Sequence, residues 1–202
     1  QEAFISAEDQ HFWTHRGVDP GAIVRAALSN LQHYGQGRRP VGASTITQQV
    51  SKNMLLGNEV SFARKIREMI LATRIEEALP KEHILELYLN EIYLGSGAYG
   101  VAAAAQTYFD KSLDRITLPE AAFLAALPKA PANYNPFTAP DAARVRRDWV
   151  IDRLTDDRKI SASEAATAKS GPIAPSEFRR PPPVPAAEWY AEDVRRQLVA
   201  QF

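Results

Sequence analysis

The chain contains no cysteine, which removes disulfides, thiolate nucleophiles and cysteine-bound zinc from its chemistry and leaves it indifferent to the redox state of its compartment. An excess of either charge is also missing. With 24 Lys and Arg against 24 Asp and Glu, a generally basic nucleic-acid-binding surface is not expected, and any anion site must come from local clustering. No apolar run is long enough to cross a bilayer, and no basic, apolar, small-residue export signal stands at the start. Strict alternation of apolar and polar residues is scarce, which argues against a large sheet, and there is no internal repeat. What is present suffices for a full core: 202 residues, 45% of them apolar and 24% charged, too apolar for disorder. The chain opens at Gln1 rather than Met and stops at Phe202 in mid-pattern. That is expected of a piece of a longer protein whose anchor or partner domain lies outside it.

Helix signals dominate as far as about residue 168. Ser6-Ala-Glu-Asp, Thr117-Leu-Pro-Glu, Thr138-Ala-Pro-Asp and Ser161-Ala-Ser-Glu each place a hydroxyl three residues before a carboxylate, the pattern that satisfies orphan amides at a helix start. Ile66 with Ile70, Ile84 with Leu87 and Tyr88, and Phe123 with Leu127 recur at helical spacing. Pro80 is expected to open one helix and Gly95 to close it. Loops are expected at Tyr34 to Gly42, at Gly57-Asn58 and at Pro128 to Pro136, with the glycines of the first marking a mobile flap over a cleft. Pro172, Pro175, Pro181, Pro182, Pro183 and Pro185 predict a stiff linker over 171–187. The expected organisation is therefore a domain over 1–170, that linker, and at 188–202 the first helix of a truncated following region, with Tyr190, Val194 and Leu198 on one face.

Three clusters carry candidate chemistry. The first is Glu8-Asp-Gln-His-Phe-Trp-Thr-His-Arg-Gly17, placed by Ser6 on the first turns of a helix. There Glu8 and Asp9 either complement the positive helix end, or one carboxylate lies against Phe12 and Trp13, loses water and becomes a better proton acceptor. His11 and His15 stand at a spacing a metal pair could use, but with no third ligand a packed or hydrogen-bonded histidine is the better expectation. The second is Gly42-Ala-Ser-Thr-Ile-Thr-Gln-Gln-Val-Ser-Lys52, a helix start after which Ile46 and Val50 face the core. Thr45, Gln48, Gln49 and Lys52 gather on a polar side suited to a phosphate or sugar hydroxyls. The third is Arg64-Lys-Ile-Arg-Glu68, which puts Arg64, Lys65 and Glu68 on one helix face; its plainest role is a surface ion-pair ladder.

The neutral total hides a dipolar layout. Residues 1–20 hold Glu2, Glu8, Asp9 and Asp19 against Arg16 alone, whereas Arg38, Arg39 and Lys52 are unopposed in 36–52, and Arg64, Lys65, Arg67 and Arg74 outnumber Glu68 in 60–74. One poised carboxylate with a cationic clamp is the minimum kit for inverting transfer from a sugar pyrophosphate. The leaving group needs charge neutralisation rather than protonation, and the acceptor hydroxyl needs a base.

In order, these clusters resemble the motifs of the peptidoglycan glycosyltransferase family, the polymerase domain of class A penicillin-binding proteins, from about Phe4 to Leu154. Ile84-Leu-Glu-Leu-Tyr-Leu-Asn90 with Tyr93-Leu-Gly95 resembles a fourth motif, and Leu127-Pro-Lys-Ala-Pro131 with Tyr134-Asn-Pro136 the closing one. The resemblance implies an all-α, lysozyme-like, two-lobed fold and the polymerisation of lipid II with release of undecaprenyl pyrophosphate. By motif position Glu8 is the general base, and Glu68 stabilises the donor pyrophosphate, directly or through a divalent cation (Mg or Mn). Lys52, Arg64, Lys65 and Arg67 bind phosphates; Asp9, Ser44, Thr45, Gln48 and Gln49 line the sugar and phosphate sites; Asn90 buttresses the cleft. The implied partners are lipid II, the lipid-linked nascent glycan, the membrane surface and a transpeptidase domain, but no nucleic acid. The implied location is the outer, periplasmic face of the bacterial cytoplasmic membrane.

This chain departs from the pattern at Asn53 to Phe62, which carries Glu59 and no Arg or Lys. Its Met54, Leu55, Leu56, Val60 and Phe62 suit either lipid tails or core packing. The Ser-x-x-Lys of penicillin-reactive serines is absent. The alternatives are a lytic muramidase on the same scaffold, with Glu8 as acid, and a catalytically silent cell-wall interaction module.

Overall fold

The computed structural model describes residues 1–33, 42–55 and 61–176, except the side chains of Met54 and Leu55. In chain order the helices among them are α1 (Glu2–Glu8), α2 (Pro20–Gln32), α3 (Ile46–Leu55), α4 (Phe62–Ala78), α5 (Lys81–Glu91), α6 (Val101–Phe109), α7 (Leu118–Ala126), α8 (Pro140–Asp156) and α9 (Ala162–Ser170). The sole sheet-type pairing among the described residues is an isolated antiparallel bridge between Tyr93 and Tyr99. The chain is therefore all-α, as expected. The flap at 34–41, the Gly57-Asn58 loop, the linker beyond 176 and the helix from Trp189 lie outside the described residues.

The core is organised around α7. Its Ala122 to Leu127 run is buried on every side, the signature of a helix enclosed by others rather than lying on the surface. α1, α6, α8 and α9 pack against it. Phe123 meets Tyr108 and Phe109 edge-on at 5.4 and 5.7 Å, while small Ala122, Ala125, Ala126 and Ala143 let the α7 and α8 backbones approach closely. Arg147 of α8 is fully buried; its guanidinium donates to the carbonyls of Gly171 (2.7 Å) and Lys169 (3.3 Å) and pairs with Asp148. It thereby satisfies orphan carbonyls at the end of α9.

Two of the four expected hydroxyl caps form reciprocal capping boxes, at Thr117 with Glu120 and Ser161 with Glu164. Thr138 does not cap α8, which starts one residue later behind Ala139 with Pro140 at its first position; proline needs no amide acceptor there. Pro80 caps α5 rather than opening it, and α5 ends at Glu91, ahead of Gly95. Ile92 to Gly100 then folds back on itself, with Leu94 N donating to Ala98 O and Gly100 N to Ile92 O, both at 2.9 Å. Gly95 turns that loop at φ +87°.

The consequential difference is at Ser6. It does not start a helix but lies buried near the end of α1, because Ala3, Phe4 and Ile5 already belong to a helix packed on α7 and α8. α1 ends at Glu8, and Asp9 N donates to Ile5 O at 2.8 Å. Residues 9–19 form a turn-rich loop that rests on α4 at Gly17. Gly17 has φ +85°, and a Cβ there would lie 2.6 Å from the Ala72 carbonyl carbon and oxygen. Gly17→Ala is therefore expected to cost about 2–3 kcal/mol and lower Tm by roughly 4–12 °C. Thermal melts followed by circular dichroism check this; an unchanged Tm contradicts it.

Candidate active site

Because α1 ends at Glu8, the two carboxylates sit at the negative rather than the positive end of a helix, so they do not serve the helix end. Their environments diverge. Asp9 is engaged through one oxygen: Oδ2 accepts from Ile46 N at 2.9 Å and lies 2.8 Å from His15 Nε2. Glu8 has one described partner, Gln49 Nε2, which donates to Oε2 at 2.9 Å. Burial raises the Glu8 carboxyl above its ordinary value; the Gln49 bond and the positive charges of Arg146 and Lys129 pull the other way, and Asp9 adds to the rise. Burial, followed by the charges of Glu8 and Asp9, pushes the Tyr88 phenol well above its usual value and keeps it neutral. Phe12 is buried, but its described ring contacts are Trp13, His15 and Lys81 rather than the carboxylate expected against it and Trp13. His11 pairs with Asp19 at 2.8 Å, so both histidines are hydrogen-bonded to separate carboxylates and form no metal pair.

α3 supplies the partner for Glu8. Ile46 and Val50 face the core as expected. Thr45 and Gln48 do not stand on an open polar face: both are buried and lock the helix start. Thr45 N donates to Gln48 Oε1 (2.9 Å), Gln48 N to Thr45 Oγ1 (3.1 Å), and Thr45 Oγ1 to Gly17 O (2.6 Å). A threonine just ahead of a helix with glutamine three residues on is itself a capping box. It is that pattern, rather than the preceding glycine and serine, that starts α3. Gln49 is left to reach Glu8, while Lys52 is exposed without a hydrogen-bond or ion-pair partner among the described residues.

α4 gathers the cations. Ser61 caps it by accepting from Arg64 N at 3.0 Å. Glu68 is only 2% exposed, too buried for a surface ladder. Its two oxygens hold Arg64 Nη1, at 3.4 Å, and Lys65 Nζ. Lys65 Nζ also donates to Ser44 Oγ at 2.9 Å. Arg67 points outward with no described partner. Since Glu68 is spent on two cations, and no group of three or more His, Asp or Glu among the described residues is arranged around a common point, these residues do not fit a protein-held divalent cation.

A cavity of about 310 Å³ joins the first two clusters, and the third reaches its rim through the Lys65 bond to Ser44. The cavity is lined by Glu8 and Asp9, by Ser44 and Thr45 ahead of α3, and by Trp149 and Arg153 of α8. Ser44 thus borders the space Glu8 faces and touches Lys65. Asn90 is exposed at the end of α5 and does not line this cavity. The sequence reading passed over α8. Arg146 Cζ stacks 3.7 Å from the Trp149 ring centroid, and Arg153 lies at 6.0 Å. An arginine three residues before a tryptophan and another four after it would have signalled such a stacked face.

An all-helical chain with a desolvated carboxylate on a cavity, and a cation cluster bonded to a serine on the rim of that cavity, suits a sugar-transferring enzyme. The family model described as Transglycosylase matches residues 1–155, and the chain belongs to that family. Among its relatives, penicillin-binding protein 1A of Rickettsia prowazekii is 49% identical over 198 residues, covering 98% of this chain and 25% of its own. The proteins of the same name from Aquifex aeolicus and Neisseria gonorrhoeae are 52% and 43% identical, over 85% and 100% of this chain and 23% and 25% of theirs. The chain thus spans about a quarter of these relatives' length. The crystal structure of penicillin-binding protein 1A from Haemophilus influenzae matches with TM-score 0.48 and 36% identity, covering 82% of this chain and 21% of that one.

A raised carboxyl in the fold has a stability signature. Folding takes up a proton at Glu8, so its contribution is favourable at low pH and is lost as pH rises through the raised folded value. Glu8→Gln removes the buried charge and is expected to raise Tm at pH 7, with less gain near pH 4. Scanning calorimetry at both pH values checks this; an equal change at both contradicts it.

Proposed function

We propose that this chain is a peptidoglycan glycosyltransferase that polymerises lipid II into glycan strands. The observation that carries this reading is that Glu8 and Ser44 line one cavity and that Lys65 is bonded to Ser44. In the proposed step the 4-hydroxyl of an acceptor N-acetylglucosamine gives its proton to the Glu8 carboxylate. Its oxygen forms a bond to C1 of the lipid-linked donor. The bond from C1 to the pyrophosphate oxygen breaks, its electron pair leaves with undecaprenyl pyrophosphate, and C1 is inverted. A carboxylate whose affinity for protons is raised is a stronger base than an exposed one, and preorganised cations oppose the charge developing on the departing phosphate. Lys65 and Arg64, held by Glu68, occupy that role, with Lys52 and Arg67 available beside them. Gln49 orients Glu8, while Asp9, Thr45 and Gln48 build the frame around it.

A lipid-linked substrate calls for a membrane surface. Phe62, Ile66 and Ile70 stand at four-residue steps on α4, 81%, 40% and 50% exposed, on the helix that carries the cations. An apolar stripe beside a phosphate-binding face suits a helix that rests on lipid headgroups. No helix among the described residues is long and apolar enough to cross a membrane. The envelope of the relatives' cells is the proposed location, at the outer face of the cytoplasmic membrane, and a transpeptidase domain is the proposed partner in the longer chain.

Glu8→Gln is expected to lower polymerisation of fluorescent lipid II by about 10²–10⁴-fold while lipid II binding persists. Lys65→Ala is expected to weaken binding of pyrophosphate-bearing ligands. The acidic limb of the parent's kcat/KM profile should lie above the ordinary carboxylate range of about 4.3. Polymerisation by Glu8→Gln at the parent's rate rejects Glu8 as base. Cleavage of purified glycan, with lipid II left unpolymerised, rejects the reaction class.

A further inference from the structure

A second set of charges, part-buried and outside the cavity lining, bears on α3 from α4 and α5. Thr47 is fully buried and its hydroxyl donates to Glu76 Oε1 of α4 at 2.6 Å. The same oxygen accepts from Lys81 Nζ, at the start of α5, also at 2.6 Å. Lys81 Nζ lies 4.5 Å from the Phe12 ring centroid and 3.5 Å from His15 Nδ1. That ring nitrogen accepts from Gly17 N at 3.1 Å, which leaves the imidazole proton on Nε2, donated to Asp9 at 2.8 Å. Asp9 in turn accepts from Ile46 N. The contacts close a circuit through Asp9, Ile46, Thr47, Glu76, Lys81 and His15, and it grips the first two residues of α3 from opposite sides.

We propose that Thr47, Glu76 and Lys81 are positioning residues that set the first turn of α3 against the end of α1, so that Gln49 meets Glu8. None of the three touches the cavity that Glu8 lines. Gln49 is two residues beyond Thr47 on the same rigid turn, so a rotation or slide of that turn moves its amide relative to the carboxylate. The Glu76–Lys81 pair by itself would secure only the corner between α4 and α5. The Thr47 hydroxyl ties that corner to the first turn of α3, whereas the Ser51 bond to Glu68 O joins α3 to α4 farther along. A threonine inside a helix has modest propensity, and here its second heavy atom on Cβ has a specific partner.

The proposal deepens the reading of Glu8 as base, and its test separates the two. Thr47→Val keeps the side-chain shape and removes the hydroxyl; Thr47→Ser keeps the hydroxyl; Thr47→Ala serves if valine perturbs folding. Glu8 is faced by Gln49 from α3, Arg146 from α8, Lys129 from the loop after α7, Tyr88 from α5 and its neighbour Asp9. Loss of the Gln49 bond alone leaves the carboxyl with less support for its charge, so its titration midpoint moves up.

In carbon-13 titrations of the protein without substrate, the Glu8 midpoint is expected to rise in Thr47→Val and Thr47→Ala and to stay at the parent value in Thr47→Ser. In lipid II assays the valine variant is expected to lose about tenfold in kcat with KM within about twofold, and its acidic limb to move in the same direction as the midpoint. A folded Thr47→Val or Thr47→Ala with an unchanged Glu8 midpoint overturns the positioning role. A parent protein that does not polymerise lipid II overturns the functional reading instead, and the substrate-free titration still decides the role of Thr47.

Discussion

The junction between the end of α1 and the start of α3 is the constraint on which the rest of the site depends. Two adjacent carboxylates reach across it and meet opposite fates. Asp9 is bonded by a backbone amide and an imidazole and serves as a structural anchor. Glu8, one residue earlier, borders open space with a single amide partner from α3. Two acidic side chains at neighbouring positions thus become an anchor and a carboxyl whose affinity for protons is raised by desolvation. The division requires α3 to sit in one place, which explains the density of polar contacts packed around its first turn.

The cations follow the same logic with the sign reversed. A buried carboxylate is costly unless paired, and Glu68 is paired with Arg64 and Lys65 on its own helix. The pairing holds two flexible side chains near the cavity, where Lys65 also meets Ser44. A lysine tethered at both a carboxylate and a hydroxyl has already lost much of the rotamer freedom it would otherwise lose on binding an anion. The buried acid of α4 and the exposed apolar residues of the same helix therefore belong to one design. One face holds charge in place, and another presents apolar side chains that are exposed among the described residues.

Much of the helical content was legible in the sequence. Thr117 and Ser161 start helices by local hydrogen bonds that need nothing beyond four residues of chain, and the run around Phe123 is apolar enough to be central in any packing. The ion pairs of Arg64 and Lys65 with Glu68 follow from helical spacing alone. Ser6 and Thr138 carried the same local signal as Thr117 and did not use it. At Ser6 the burial of Ala3, Phe4 and Ile5 extended a helix through the site of the cap, and at Thr138 the following proline supplied the helix start without a side chain. The flaw in the polar-face reading of Thr45 and Gln48 has a similar origin, since helical spacing says which residues share a side but not whether that side meets water.

What the sequence determined by itself was therefore the kind of element, the local caps, the charge layout along the chain and the set of groups able to do the chemistry. Those properties depend on contacts within a few residues or on composition. Only the tertiary structure decided that Glu8 lies at a helix end and partly desolvated, that Asp9 is spent on α3, and that Trp149 and Arg146 join the site from α8. It alone also decided that Thr47, Glu76 and Lys81 close a circuit with His15. Each of these rests on side chains distant in sequence being brought within a few ångströms, and on the loss of solvent that follows. Neither quantity is written in the spacing of residues along one segment.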